Sequence, residues 1–351
     1  MSEKQIYFAA ANTGSGFVSY FSEIFDPDEM KKLYIIKGGP GTGKSTLAGK
    51  LADAAEERGH TVTRYLCSSD PSSLDGIMIE DLRVGVIDGT APHAADPKYP
   101  GSVDTTVDLY RFFDDGYLEK NRETVTALVK NAAKKHASSR VYRGYAATAA
   151  AEALSLVSSC TDAAKLRGAV GRAVSALRPR RGKALHRQIS AFSSGGAVST
   201  DTYRRLCTKR IGVCDEHGSA YFFMNMLKQR LESNGAGFFY STDTLIPENC
   251  EAIYVPEDGT CFEITGRLSD TDGNGYERLI NMKRFVDAEK LRGVRQRLRM
   301  CEKVRSGLDA EAEKLIREAG KIHSELEAVY KNAVDFDGVS ELTKKLTDII
   351  L

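Results

Sequence analysis

The sequence is poor in the features that would place it outside an ordinary intracellular protein. Its seven cysteines (Cys67, Cys160, Cys207, Cys214, Cys250, Cys261 and Cys301) are odd in number and scattered, with no C-x-x-C. That spacing argues against a zinc site or a disulfide framework and for free thiols in a reducing compartment. The six histidines form no H-x-x-x-H or similar ligand pattern. No apolar run reaches the roughly 18 residues that a membrane span needs, and Met1-Ser2-Glu3-Lys4-Gln5 does not open a signal peptide. Net charge is only +1, so nothing global steers the chain to nucleic acid or to a membrane surface. A cytoplasmic protein without nucleic-acid or membrane partners is the expectation.

Hydrophobic and charged residues make up 42% and 28% of the 351-residue chain, which are ordinary globular values. That length predicts two domains and ample core. The strongest single signal is Gly38-Gly39-Pro40-Gly41-Thr42-Gly43-Lys44-Ser45-Thr46. It is a complete G-x-x-x-x-G-K-[ST] phosphate-binding loop. The glycines let backbone N–H groups curl around phosphate oxygens, Lys44 reaches the β- and γ-phosphates, and the Ser45 hydroxyl ligates Mg²⁺. The apolar run Leu33-Tyr34-Ile35-Ile36 predicts a strand entering the loop. Lys44 to Arg58 predicts a helix leaving it, with Leu47, Ala48, Leu51 and Ala55 on one face and Gly59 closing it. The positive end of that helix faces the phosphates.

A metal carboxylate is expected at Asp88. Val84-Gly85-Val86-Ile87-Asp88 reads as an apolar strand ending in an acid, the Walker B pattern. Asp70 ends the preceding strand and has two readings: it orients water or metal, or it caps the turn at Pro71. In Asp88-Gly89-Thr90-Ala91-Pro92-His93, Thr90 or His93 is placed to sense the γ-phosphate or position water. Gly89 stands where a hydrolytic glutamate would follow Asp88, and Glu80 and Asp75 are available nearby only if the loop folds back, so the general base is unassigned. No N-K-x-D or L-S-G-G-Q motif is present, which argues against a typical GTPase or ABC ATPase. Phe192-Ser193-Ser194-Gly195-Gly196 matches the latter only superficially.

The chain also repeats itself. Lys209-Arg210-Ile211-Gly212-Val213 matches Lys32–Ile36, Tyr240-Ser241-Thr242-Asp243 matches Cys67–Asp70, and Ile253-Tyr254-Val255 matches Ile77–Ile79. Ile264-Thr265-Gly266 matches Ile87–Gly89, and Arg284-Phe285-Val286-Asp287 matches Arg111–Asp114. His136 with Val141-Tyr142 is paired with His323 and Val329-Tyr330. The second copy has Ala220-Tyr221-Phe222 in place of Gly43-Lys44-Ser45, Thr265 in place of Asp88, and two acids in Asp215-Glu216-His217-Gly218-Ser219. It is therefore read as a degenerate copy that keeps the strands and loses the site.

The expected fold is α/β and P-loop NTPase-like, in two tandem halves that pack as a pseudo-symmetric pair, each with a helical extension. Residues 1–177 form the nucleotide-binding half with its extension, and residues 178–187 a basic linker around Arg178–Lys183. That linker is either a solvated connector or a phosphate or nucleic-acid contact. Residues 188–351 form the degenerate half with a helical hairpin. Residues 106–177 are expected to be mostly helical. Val304, Leu308, Ala312, Leu315, Ala319, Ile322, Leu326 and Val329 form the heptad seam of the second extension, the signature of a helical hairpin or coiled-coil contact.

The run Tyr7-Phe8-Ala9 through Asn12-Thr13, with Gly38–Thr46, Cys67–Asp70, Ser73-Leu74-Asp75 and Asp88–His93, resembles a bacterial, clostridial-type family of tandem, two-halved P-loop ATPase-like proteins. The resemblance implies a cytoplasmic ATP-binding protein. It is strongest over residues 5–115. Tyr221 departs from relatives that keep a working loop in both halves.

Together these readings predict Mg²⁺-dependent ATP binding and slow hydrolysis that drives a conformational switch, acting through the helical extensions on a protein or small-molecule partner. Lys44, Asp88 and His93 are the candidate catalytic residues. Gly38 to Thr46 hold the triphosphate, and Ser45 and Asp88 hold the metal. Two rivals stand beside this. One is a phosphotransferase with its acceptor beside Asp70 and His93, and with Arg140 and Arg143 as a phosphate-clamping lid. The other is a nucleotide-sensing scaffold without turnover.

Overall fold

The computed structural model describes residues 4–91, 94–215, 217–266 and 275–351. The first third of the chain folds into β1 (Gln5–Phe8), a hairpin of β2 (Ala10–Thr13) and β3 (Gly16–Ser19), the short helix α1 (Phe21–Ile24), β4 (Lys32–Lys37), α2 (Lys44–Glu57), β5 (Val62–Leu66), β6 (Leu74–Ile79), β7 (Val84–Asp88) and β8 (Asp104–Asp108). Helices α3 (Asp115–Lys120), α4 (Arg122–Cys160) and α5 (Ala163–Ser175) follow. The rest of the chain gives β9 (Ala184–His186), a hairpin of β10 (Ser190–Ser193) and β11 (Gly196–Ser199), α6 (Thr202–Leu206), β12 (Lys209–Cys214), α7 (Ala220–Ser233), β13 (Phe238–Thr242), β14 (Cys250–Val255), β15 (Thr260–Thr265), β16 (Arg278–Asn281), α8 (Ala288–Lys331) and α9 (Phe336–Ile350).

These elements build a mixed α/β protein around two six-stranded sheets, in the orders β1-β5-β6-β7-β4-β8 and β9-β13-β14-β15-β12-β16. Strand for strand the two orders agree. In both, only the third strand from the β1 or β9 edge runs antiparallel to its neighbours. β4 lies between β7 and β8, parallel to both. Its run Leu33–Ile36 is buried, as expected of a strand covered on both faces. The edge strand β8 (Asp-Thr-Thr-Val-Asp) carries too little apolar pattern to stand out in the sequence. It pushes the start of the helical region from residue 106 to residue 115.

Helix α2 buries Leu47, Leu51 and Ala55 against Ile36, Ile77, Val86 and Val107. It closes at Gly59, whose φ of +88° favours glycine, and His60 N–H donates to Ala55 O at 3.0 Å.

The helical arms meet the expectation of a long helix–helix contact and depart from that of a hairpin. No hairpin forms within the second extension. The 44-residue α8 instead packs along the 39-residue α4, and each sheet supplies one arm of the pair. Small side chains let the two cross closely. Ala146, Ala312 and Ala319 are buried, and Ser139 Oγ donates to Ala312 O at 2.9 Å. The predicted seam holds at Ala312, Ala319 and Leu326. Val304, by contrast, is 43% exposed. It lines an apolar groove of about 480 Å³ with Tyr145, Met300 and Cys301, because the buried stripe runs through Leu298 there.

Beyond the crossing the two chain segments exchange their last helices. α5 supplies Leu166, Val170 and Ala173 to the core of Val213, Phe223, Leu227 and Phe262 in the second sheet. α9 supplies Leu342, Leu346 and Ile350 to the core around α2 in the first. Reciprocal backbone bonds seal the exchange: Asp114 N–H donates to Ala333 O at 2.7 Å, and Asp287 N–H to Cys160 O at 2.8 Å. The division at residue 177 therefore separates chain segments, not packed units.

Residues 178–187 are also more than a connector. Residue 181 bridges to residue 236, Gly237 N–H donates to Arg180 O at 2.8 Å, and Ala184–His186 is the edge strand β9. His136 and His323, paired in the sequence comparison, do not occupy matching places. Counted from the N-caps Asp114 and Asp287, the position matching His136 is Asp309.

Candidate functional site

The loop after β4 turns directly into α2 at the carboxyl edge of the first sheet. Gly41 and Gly43 have φ of +66° and +89°, a region that side chains with Cβ rarely enter. Gly43 is the N-cap of α2, so the free N–H groups of the first helical turn face the loop. Thr42 Oγ1 folds back to donate to Gly39 O at 2.9 Å.

Lys44 lies over this loop with only 13% of its side chain exposed. Its Nζ donates to Gly38 O at 3.1 Å and Gly39 O at 2.7 Å and stands 3.6 Å from Asp88 Oδ2. Asp88 comes from the end of β7, the strand paired with β4. Its other oxygen, Oδ1, accepts Thr90 N–H at 2.9 Å and Thr90 Oγ1 at 2.6 Å. Thr90 therefore holds the carboxylate in place, a role that differs from phosphate sensing. Ser45 Oγ accepts Leu74 N–H at 2.8 Å, which fixes it beside the start of β6 and leaves its proton and second lone pair for another partner. Lys37, the last residue of β4, was not singled out in the sequence. Its Nζ donates to Gly89 O at 2.9 Å and Ala95 O at 2.7 Å and pins the segment after Asp88.

These residues suit a Mg²⁺-triphosphate. A hard cation of this kind takes one or two protein oxygens plus phosphates and water. Ser45, beside the start of β6, and Asp88, at the end of the neighbouring β7, can supply two such oxygens, and Lys44 supplies a cation between Asp88 and the loop. Among the described residues no cluster of three or more histidine, cysteine or carboxylate groups could hold a metal alone.

Other candidates are placed differently. His93 and Pro92 lie outside the described residues, as does Glu216. Asp70 is exposed and caps its turn, accepting Ser72 N–H at 3.1 Å and Ser72 Oγ at 2.7 Å. Glu80 accepts Thr63 Oγ1 at 2.6 Å. Arg143 is buried at the arm crossing, 2.8 Å from Asp309, donating to Thr244 O and stacked on Phe192. A clamping lid at Arg143 is therefore contradicted, because the arginine is already consumed as a bridge between the arms.

The site also includes residues from the far end of the chain. A methyl placed on Gly41 would stand 3.0 Å from Glu327 O. On Gly39 it would stand 2.9 Å from Tyr330 Cε1 and 3.3 Å from Phe113 Cζ. Phe336 and Val339 of α9 flank Gly43. No local signal marks these as site residues, because only the exchange of helices brings them to the loop.

At the second sheet the corresponding loop is closed from within. Asp215 Oδ2 accepts Ala220 N–H at 2.9 Å, and Oδ1 accepts His217 N–H at 3.0 Å and Ser219 Oγ at 2.8 Å. A side-chain carboxylate thus sits at the helix end where an anion would bind. The helix starts align Ala220 with Lys44 and Tyr221 with Ser45, one residue away from the sequence match of Tyr221 to Lys44, and Tyr221 donates its hydroxyl to Asp243 Oδ2 at 2.7 Å. Asp243 also caps its own turn through Leu245 and Ile246 N–H.

Among the described residues no helix is long and apolar enough to cross a membrane. The chain matches no family model, no curated protein and no solved structure, and the family resemblance therefore rests on its motifs alone.

Proposed function

We propose that the chain is a two-unit P-loop NTPase-like protein that binds one Mg²⁺-ATP-type triphosphate at Gly38–Thr46. Slow hydrolysis there drives a change in the crossed arms. The observation that carries the reading is the convergence of Lys44 and Asp88, 3.6 Å apart, over a loop whose Gly41 and Gly43 are left-handed. Lys44 neutralises β/γ charge, the loop amides and the helix end cradle the phosphates, and Ser45 and Asp88 hold the cation. When bound, the cation supplies charge neutralisation at the β- and γ-oxygens.

The two-unit reading is supported by the matching strand orders and by the reciprocal Asp114–Ala333 and Asp287–Cys160 bonds. Slow turnover follows from the surroundings of Asp88: Gly89 comes next, Thr90 is engaged with Asp88 itself, and Glu80 lies at the far end of the sheet, beyond the pairing of Ile79 with Val84. These same facts favour the sensing scaffold as the second reading. The coupling route is the packing of Glu327, Tyr330, Phe336 and Val339 against the loop, through which the arms would act on a partner. A cytoplasmic setting is supported by seven free cysteines.

Calorimetric titration with Mg²⁺-ATP tests the site. Wild type is expected to bind one equivalent, and Lys44→Ala to lose about 30-fold or more in affinity. Unchanged affinity in Lys44→Ala removes the site assignment. Phosphate release measured alongside separates slow hydrolysis from pure sensing.

A further inference from the structure

Three rings crowd the rim of the first loop. Tyr110 and Phe113 lie edge to face with centroids 5.5 Å apart, and Phe113 and Tyr330 lie 5.6 Å apart. Phe113 and Tyr330 both touch the Gly39 position. Tyr110 follows β8, on the side of β4 opposite Asp88, and is 50% exposed. The cluster therefore sits across the loop from the metal side, with one ring presented to solvent.

The second sheet provides an internal control. Register pairs Lys37 with Asp108 and Cys214 with Asn281, so Tyr110 matches Lys283. Phe113 and Val286 each precede the N-caps Asp114 and Asp287. Tyr330 and Val157 each lie three residues before the carbonyl that closes the exchange, at Ala333 and Cys160. All three rings are thus replaced beside the closed loop. There Val157, Lys283 and Val286 line a cavity of about 260 Å³. The fold tolerates an open space at this position, so packing alone does not demand the rings.

We propose that Tyr110, with Phe113 and Tyr330 behind it, is the nucleobase platform of the triphosphate site. This rests on the triphosphate reading and adds to it how the base is recognised. A base stacks on an aromatic face whatever its edge pattern, so the platform selects nucleotides over bare polyphosphate and larger purines over pyrimidines, with little discrimination between adenine and guanine.

The test compares Mg²⁺-ATP with Mg²⁺-tripolyphosphate on wild type, Lys44→Ala and Tyr110→Ala. Tyr110→Ala is expected to weaken ATP about 5- to 150-fold and leave tripolyphosphate unchanged. Lys44→Ala weakens both. Equal ATP affinity in Tyr110→Ala and wild type, or equal losses for both ligands, overturns the platform. Wild type that binds tripolyphosphate as tightly as ATP also overturns it while leaving the phosphate site standing. Wild type that binds neither overturns both readings. The chain has no tryptophan, so Tyr110→Trp installs a single reporter. Its emission is expected to respond to ATP and not to tripolyphosphate, and the same response to both counts against the platform.

Discussion

Truncating Leu346 to alanine tests the exchange of helices most directly. Leu346 is 7% exposed near the end of the chain, in one cluster with Leu47, Leu51 and Ala55 of α2. Leucine-to-alanine changes in cores cost roughly 2–5 kcal/mol, depending on how far the site collapses. α9 buries only one face, through Val339, Thr343 and Leu346, so partial collapse is expected, and about 2–3 kcal/mol is the appropriate range. Amide hydrogen exchange reads this locally. In Leu346→Ala the amides of Lys44–Glu57 should exchange about 30- to 150-fold faster, while those of Ala220–Ser233 stay near wild type. Leu166→Ala, fully buried in α5, should do the reverse. If Leu346→Ala loosens α7, or leaves α2 unchanged, the exchanged arrangement is refuted, and with it the route from the loop to the arms.

Further outcomes test the second loop, the acid–base balance and the arm crossing. Ala220→Lys alone should leave nucleotide stoichiometry at one per chain, because Asp215 still occupies the helix end; a second equivalent by calorimetry would contradict the self-closed loop. Burial raises the Glu251 carboxyl to about 7, although Ser190 and Ser241 donate to it. A carboxyl raised on folding stabilises most below its unfolded pKa, and that contribution falls as pH rises toward 7. Burial lowers His186 to about 4, which gives the opposite slope at acidic pH, so the difference between wild type and Glu251→Gln isolates the carboxyl. The urea midpoint of Glu251→Gln should gain on wild type between pH 5 and 7.5, and parallel pH profiles would dismiss the buried acid. Arg143→Ala should lower stability by about 2–3 kcal/mol, less than for a sealed pair because Asp309 keeps Arg305 at 3.0 Å. ATP affinity should stay near wild type, and a selective loss of phosphoryl transfer at unchanged stability would return Arg143 to the site.

Local sequence carries the parts of this protein whose physics is local. An apolar strand, a glycine-rich loop, a lysine at a helix start and an acid at the end of a second apolar strand can all be read in short windows. The structure brings Lys44 to Asp88 and sets Ser45 beside the start of β6. The loss of Lys44 and Ser45 from the second copy is equally legible, since a missing charge needs no tertiary context, but the helix starts put Ala220, and not Tyr221, at the lysine's place. The edge strand β8 and the two hairpins escape notice because their short, polar or glycine-bearing segments carry little periodic pattern. Which helix covers which core, and why Glu327, Tyr330 and Phe336 stand beside a loop near residue 40, is decided only in three dimensions. An amphipathic stripe specifies that a helix must be buried but not against what. The long arms α4 and α8 settle that choice by crossing and delivering α5 and α9 to opposite sheets.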